Sequence, residues 1–119
     1  MPLTFGLRDH VFVDDAVLHG LRGALGCVGA DQAITLSYEI MSDRLKEMAR
    51  LSQAGDLAGV AARCDSVDAM GRAVAMTSVC AVAGDAGQCA RRGELAALAA
   101  VLSRLGRVLD RSIMQLLDL

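Results

Sequence analysis

The chain has 119 residues and a net charge of −2, with 54% hydrophobic residues but only 3% aromatic ones. That length sets a single domain over 1–119, large enough to bury well over half of its unfolded surface without a disulfide or metal staple. The charge balance argues against a nucleic-acid binder, which needs clustered cations, and no apolar run is long enough to span a bilayer.

With so few rings, the core must be built from Leu, Val, Ala, Ile and Met, which suits close-packed helices better than a sheet. The single proline is Pro2, outside any predicted element. Cys27, Cys64, Cys80 and Cys89 form no Cys-x-x-Cys pair, and His10 and His19 lie far from any cysteine pair, so neither metal nor cofactor is expected. No leader peptide is readable, so the expectation is a cytoplasmic protein with reduced, mostly core thiols.

Residues 1–12 are a lead-in that can pack Phe5, Leu7, Val11 or Phe12 onto the body. Asp14 and Asp15 open a short helix with Val17, Leu18, Leu21 and Leu25 on one face, and Gly26 stops it. Residues 27–30 are the expected connector. A longer helix comes next, with Ile34, Tyr38, Met41, Leu45 and Met48 at the three- and four-residue spacing of a bundle seam. Its charges, Asp43 to Arg50, read as a solvated face.

Gly55-Asp56 ends that helix and starts the next, Asp56 being a good N-cap. Leu57, Val60, Ala61, Cys64, Val67, Gly71 and Val74 are its inward stripe, while Asp65, Asp68 and Arg72 share another side. Its end is not marked by Gly, Pro or Asn. Thr77 or Ser78 is the expected N-cap of a helix to about Arg92, with Val79, Val82, Ala83, Ala86 and Ala90 inward. Gly84 and Gly87 inside it each cost roughly 1 kcal/mol relative to Ala, unless close packing uses the missing side chains. The Arg91-Arg92 doublet reads as a favourable helix C-terminus rather than a phosphate site. Gly93-Glu94 is a second Gly-acid break. The last helix carries the strongest stripe, Leu95, Leu98, Leu102, Leu105, Leu109, Ile113 and Leu116, with Leu117 and Leu119 placed to cover the bundle end.

The expected fold is all-α: an up-down antiparallel four-helix bundle with a short extra N-terminal helix. In this order of elements the chain resembles the histidine-containing phosphotransfer (HPt) domains of bacterial phosphorelays, from about Val13 to Leu117. FVDDAVLHGLRGALG looks like the family's opening helix. DRLKEMARLSQAGDLAGVAARC looks like its second helix, Gly-Asp break and entry to the active helix. RRGELAALAAVLSRLGRVLDRSI looks like its Gly-acid break and final helix. The family's active helix carries a phosphoacceptor histidine followed by x-x-Lys-Gly. In this register those positions hold Asp65, Asp68 and Ala69.

The resemblance implies a binding module of two-component signalling that is not an enzyme. A carboxylate accepts phosphate only with a divalent metal and a cation to offset charge, and Lys46 is the only lysine. The implied partner is a response-regulator receiver domain or a histidine kinase, docking on Asp65, Asp68, Ala69, Arg72 and Arg63. Arg63 and Arg72 are expected to offset part of the added negative charge, Arg72 through an i,i+4 pair with Asp68. The alternatives are an inert bundle of which Asp65, Asp68 and Arg72 are merely the solvated face, favoured if Asp65 is buried or salt-bridged rather than exposed; an active phosphotransfer protein using His10 or His19; and a structural or self-associating bundle that forms a homodimer through an exposed apolar patch.

Overall fold

A computed structural model describes residues 10–118. Four helices make up the described chain: α1 (Asp15–Gln53), α2 (Leu57–Ala73), α3 (Thr77–Arg91) and α4 (Leu95–Leu116), with no strand among the described residues. Each helix packs on its neighbour in sequence, α1 closes the ring on α4, and the diagonal pairs do not meet. The shortest dimension, 19 Å, holds two helix layers.

The three connectors (54–56, 74–76 and 92–94) share one construction. Gly55 and Gly93 take positive φ, 79° and 71°. The amide after each donates back to the helix it leaves, Asp56 to the Leu51 carbonyl at 2.9 Å and Glu94 to that of Cys89 at 3.0 Å, which satisfies carbonyls the helix end would otherwise orphan. The middle connector does the same without glycine. Ala75 stands at φ 69° and the Met76 amide reaches the Gly71 carbonyl at 2.8 Å. This is how α2 ends although its sequence shows no stop signal.

The inward stripes are as expected. Ile34, Met41, Met48, Val60, Cys64, Val67, Val79, Val82, Ala83, Ala86, Ala90, Leu98, Leu105, Leu109 and Leu116 form one core. A fully buried Leu or Val contributes about 1.5–3 kcal/mol. Asp56 caps α2 by accepting from the Gly59 amide at 2.9 Å, and Asp14 caps α1 by accepting from that of Val17 at 3.1 Å.

Four local expectations change. Residues 27–30 are helical, not a connector: Gly26, at φ 74° and ψ 167°, breaks α1 for one residue and the helix resumes at once. Leu25, beside that break, is 51% exposed instead of joining Val17, Leu18 and Leu21 against the core. Leu95, the first of the α4 stripe and the first residue of the helix, is likewise 53% exposed. The N-cap of α3 is Met76 rather than Thr77 or Ser78, and its side chain makes no cap bond. Phe5, Leu7 and Leu119 lie outside the described residues.

Candidate functional site

Asp65 sits at the middle of α2, and its side chain is 70% exposed. Residues three and four apart on a helix share a face, so the same surface carries Ala58, Ala62, Ala69, Arg72 and Ala73, all exposed. The result is a low strip of alanines interrupted by the Asp65 carboxylate and, toward its end, the Arg72 side chain. Asp68, half-buried at the strip's edge, accepts from Arg72 Nη2 through both oxygens at 3.0 Å. That is the expected i,i+4 pair.

Asp65 is not alone. Arg91 Nη2 on α3 donates to both of its oxygens, at 3.0 and 3.1 Å. The two residues are separated by 26 positions, and no local spacing joins them. The link runs over Gly87. Helical side chains lean toward the N-terminus, so the Arg91 chain lies back along α3. A Cβ built at Gly87 would stand 2.9 Å from Arg91 Nη1 and 3.5 Å from the Cys64 Cβ. The missing side chain of Gly87 is the channel through which Arg91 crosses. Arg91 is in the last turn of α3, as the doublet suggested, but its guanidinium is spent on Asp65.

Arg63 does not belong to this face. Its Nε donates to Glu47 Oε2 on α1 at 3.0 Å, on the flank of α2 turned away from α3. Glu47 also meets Arg44 at 3.3 Å. The hydrogen bond from Arg63, chiefly, holds the Glu47 carboxyl below its usual range. The structure therefore brings together Asp65, Asp68, Ala69 and Arg72, adds Arg91, and separates Arg63. Asp65, Asp68 and Glu47, the carboxylates around this part of α2, each hold a guanidinium, so the face is locally neutral rather than acidic.

The thiols nearby are packing groups. Cys64 contacts the Met48 sulfur at 3.5 Å and Cys80 donates to the Asp68 carbonyl at 3.3 Å. Burial, above all, pushes both thiols up to about 11, which leaves them protonated and unreactive at neutral pH. Cys27 is exposed. Neither histidine is on α2: His19 is exposed on α1, and His10 is exposed with its ring edge-on to Phe12 at 4.9 Å. Among the described residues no three His, Cys, Asp or Glu side chains cluster to hold a metal, and no helix is long and apolar enough to cross a membrane.

The chain matches no protein-family model, no curated protein and no solved structure.

Proposed function

We propose that this protein is an HPt-like bundle of bacterial phosphorelay signalling that binds a receiver domain without transferring phosphate. The observation that carries this reading is the exposure of Asp65 at the middle of α2, on a strip of small side chains onto which a partner helix can lie closely. In this reading the four helices run up and down, and the segment before Gly26 is the family's short opening helix. Connectors of three residues span roughly 10 Å, too little for a parallel return, and the ring order of helix contacts supports the same topology. The setting is cytoplasmic, where receivers act. In this reading Asp65 does not carry phosphate: a carboxylate doing so needs a divalent metal as well as a cation to offset charge, and among the described residues no three His, Cys, Asp or Glu side chains cluster to hold one. Occupancy of the receiver, not chemistry, is the output; a histidine kinase is the second partner class.

The test is calorimetric titration with purified receiver domains of the source organism, phosphorylated and not. Binding weakened at least tenfold by Ala69→Arg is expected, with no label passing from a phosphorylated receiver. Equal binding by the parent and Ala69→Arg, or binding of no receiver, refutes the docking reading. Acid-labile labelling lost on replacing His10 or His19 establishes the active alternative.

Self-association is the second reading, favoured by one observation. Leu25, Val28 and Leu36 on the outer side of α1 are 51, 72 and 58% exposed, and a groove of about 440 Å³ runs past Val28 and Leu36. Asp31 and Glu39 rim that groove. Two copies paired there face like charges across the twofold axis, which disfavours a dimer. Light scattering decides: a dimer lost on Leu36→Lys establishes it.

A further inference from the structure

The segment before α1 is tied to the far side of the molecule by its backbone. The Phe12 amide donates to Ser78 Oγ at 2.7 Å, the Ser78 amide donates back to the Phe12 carbonyl at 3.2 Å, and the Asp14 amide donates to the Ala75 carbonyl at 2.9 Å. These three bonds straddle the start of α3. That helix has no side-chain cap of its own, since its N-cap is Met76. The first amides of a helix lack intrahelical acceptors and need an external one. Here the Phe12 carbonyl supplies it, and the Ser78 hydroxyl, expected as a local cap, serves the incoming segment instead. A reciprocal pair of this kind is normally made within one helix start; here its halves lie 66 residues apart.

Among the described residues, only a little apolar surface holds this strap. Val11 is 3% exposed and Val13 is half-buried, but Phe12 is 65% exposed and His10 is exposed. Segments with few buried apolar contacts and solvent-exposed hydrogen bonds open at lower free energy than the core, and the Phe12–Ser78 bond is exposed. A cleft of about 200 Å³ adjoins it, lined by Asp14, Arg72, Ala75, Met76, Thr77 and Cys80. Asp14 stands on the strap and Arg72 on the candidate docking face, so the strap forms one wall of a cleft that reaches Arg72.

We infer that residues 10–14 are a detachable strap that caps α3 from outside and opens as one unit, with Asp14 giving up the cap bonds it accepts from the Val17 and Leu18 amides of α1, while the rest of the bundle stays folded. Opening frees the amides at the start of α3, uncovers the Val11 seat and widens the cleft beside Arg72. The device does not depend on the docking reading, because it concerns the free protein.

Native-state hydrogen exchange by NMR on the full chain tests it. The amides of Phe12, Asp14 and Ser78 should exchange at one common opening constant. That constant should be at least tenfold larger than the one for Leu105 and Leu109 in the core of α4, and insensitive to low denaturant. Ser78→Ala removes the acceptor of the Phe12 amide, and Val11→Ala thins the apolar seat. Either should raise the opening constants of Phe12 and Asp14 together, several-fold, leaving those of Leu105 and Leu109 unchanged. Three unrelated opening constants, exchange only through global unfolding, or a variant that loosens Phe12 without Asp14 would overturn the inference.

Discussion

Gly87→Ala separates what holds the bundle from what shapes its candidate face. Two terms oppose each other. Alanine in a helix interior is favoured over glycine by about 1 kcal/mol, because glycine gives up more backbone freedom on folding. Against this, the new Cβ falls 2.9 Å from Arg91 Nη1 and 3.5 Å from the Cys64 Cβ. The second distance is ordinary contact. The first must be relieved, and the atom in the way is the tip of a flexible side chain that is 53% exposed, so Arg91 swings out to solvent. The loss is one exposed ion pair, worth about 0–1 kcal/mol. The balance is a variant as stable as the parent or more stable by up to about 1 kcal/mol, with Asp65 released from its guanidinium. Urea unfolding followed by circular dichroism measures the first quantity. A double-mutant cycle of Gly87→Ala with Arg91→Ala measures the second, since the pair's contribution should vanish once Gly87→Ala is in place. Destabilisation by more than about 1 kcal/mol would refute the reasoning. It would mean that α2 and α3 approach so closely at Cys64 that backbone, not a side-chain tip, has to move.

Gly26 occupies a backbone region that other residues enter at a cost of about 1–3 kcal/mol, and nothing lies within 4 Å of a Cβ built there. Gly26→Ala should therefore destabilise through backbone strain alone, seen as faster amide exchange between residues 15 and 25. Gly55→Ala and Gly93→Ala, also at positive φ with open space around them, should each cost about 1–2 kcal/mol in urea unfolding. Ala75→Gly should be nearly neutral: relief of the left-handed backbone is offset by loss of a buried methyl worth about 0.8 kcal/mol. The raised thiols give a pH signature. Cys64 and Cys80 ionise near 9.0 when unfolded and near 11 when folded. Above pH 9 the unfolded chain therefore holds fewer protons, and the two thiols' contribution to stability, constant below that, should fall away between about pH 9 and 11. At neutral pH iodoacetamide should label Cys27 first and reach Cys64 and Cys80 only on unfolding, as mass spectrometry would show.

The parts legible in the sequence are those written within one helical turn of themselves. The stripe from Val60 to Gly71, the Asp56 cap, the Gly55 and Gly93 breaks and the Asp68–Arg72 pair each need only spacing and residue type. The rest depends on where separate helices lie. Asp65 meets Arg91 because α3 folds back along α2 and Gly87 leaves a gap. Arg63 is close to Asp65 in sequence, yet two residues apart on a helix is most of the way to the opposite flank, and Glu47 claims it there. The same holds for Ser78, whose suitability as a local cap is real but is overridden by a partner arriving from Phe12. The Gly26 break misleads for another reason. Positive φ at glycine ends a helix only if the residues after it cannot re-form one, and Cys27 to Ala30 contains nothing to prevent it.

The Asp65–Arg91 pair bears on the docking reading in a way that its presence alone does not suggest. A buried ion pair would hold the face shut, because separating it strands a charge away from water. This one has 70% of the carboxylate side chain and 53% of the guanidinium side chain in solvent, so opening it rehydrates both groups at a cost of no more than about 1 kcal/mol. One good contact with a partner offsets that. An acidic partner surface can take Arg91 away from Asp65, and a basic one can take Asp65 away from Arg91. The pair therefore sets the face neutral at rest without making it inert. It also predicts the sign of each variant. With an acidic partner, Asp65→Ala should tighten binding by freeing Arg91, and Arg91→Ala should weaken it. A partner that needs Asp65 itself should reverse both effects in the same titration. Identical effects of the two substitutions would show that neither charge is read.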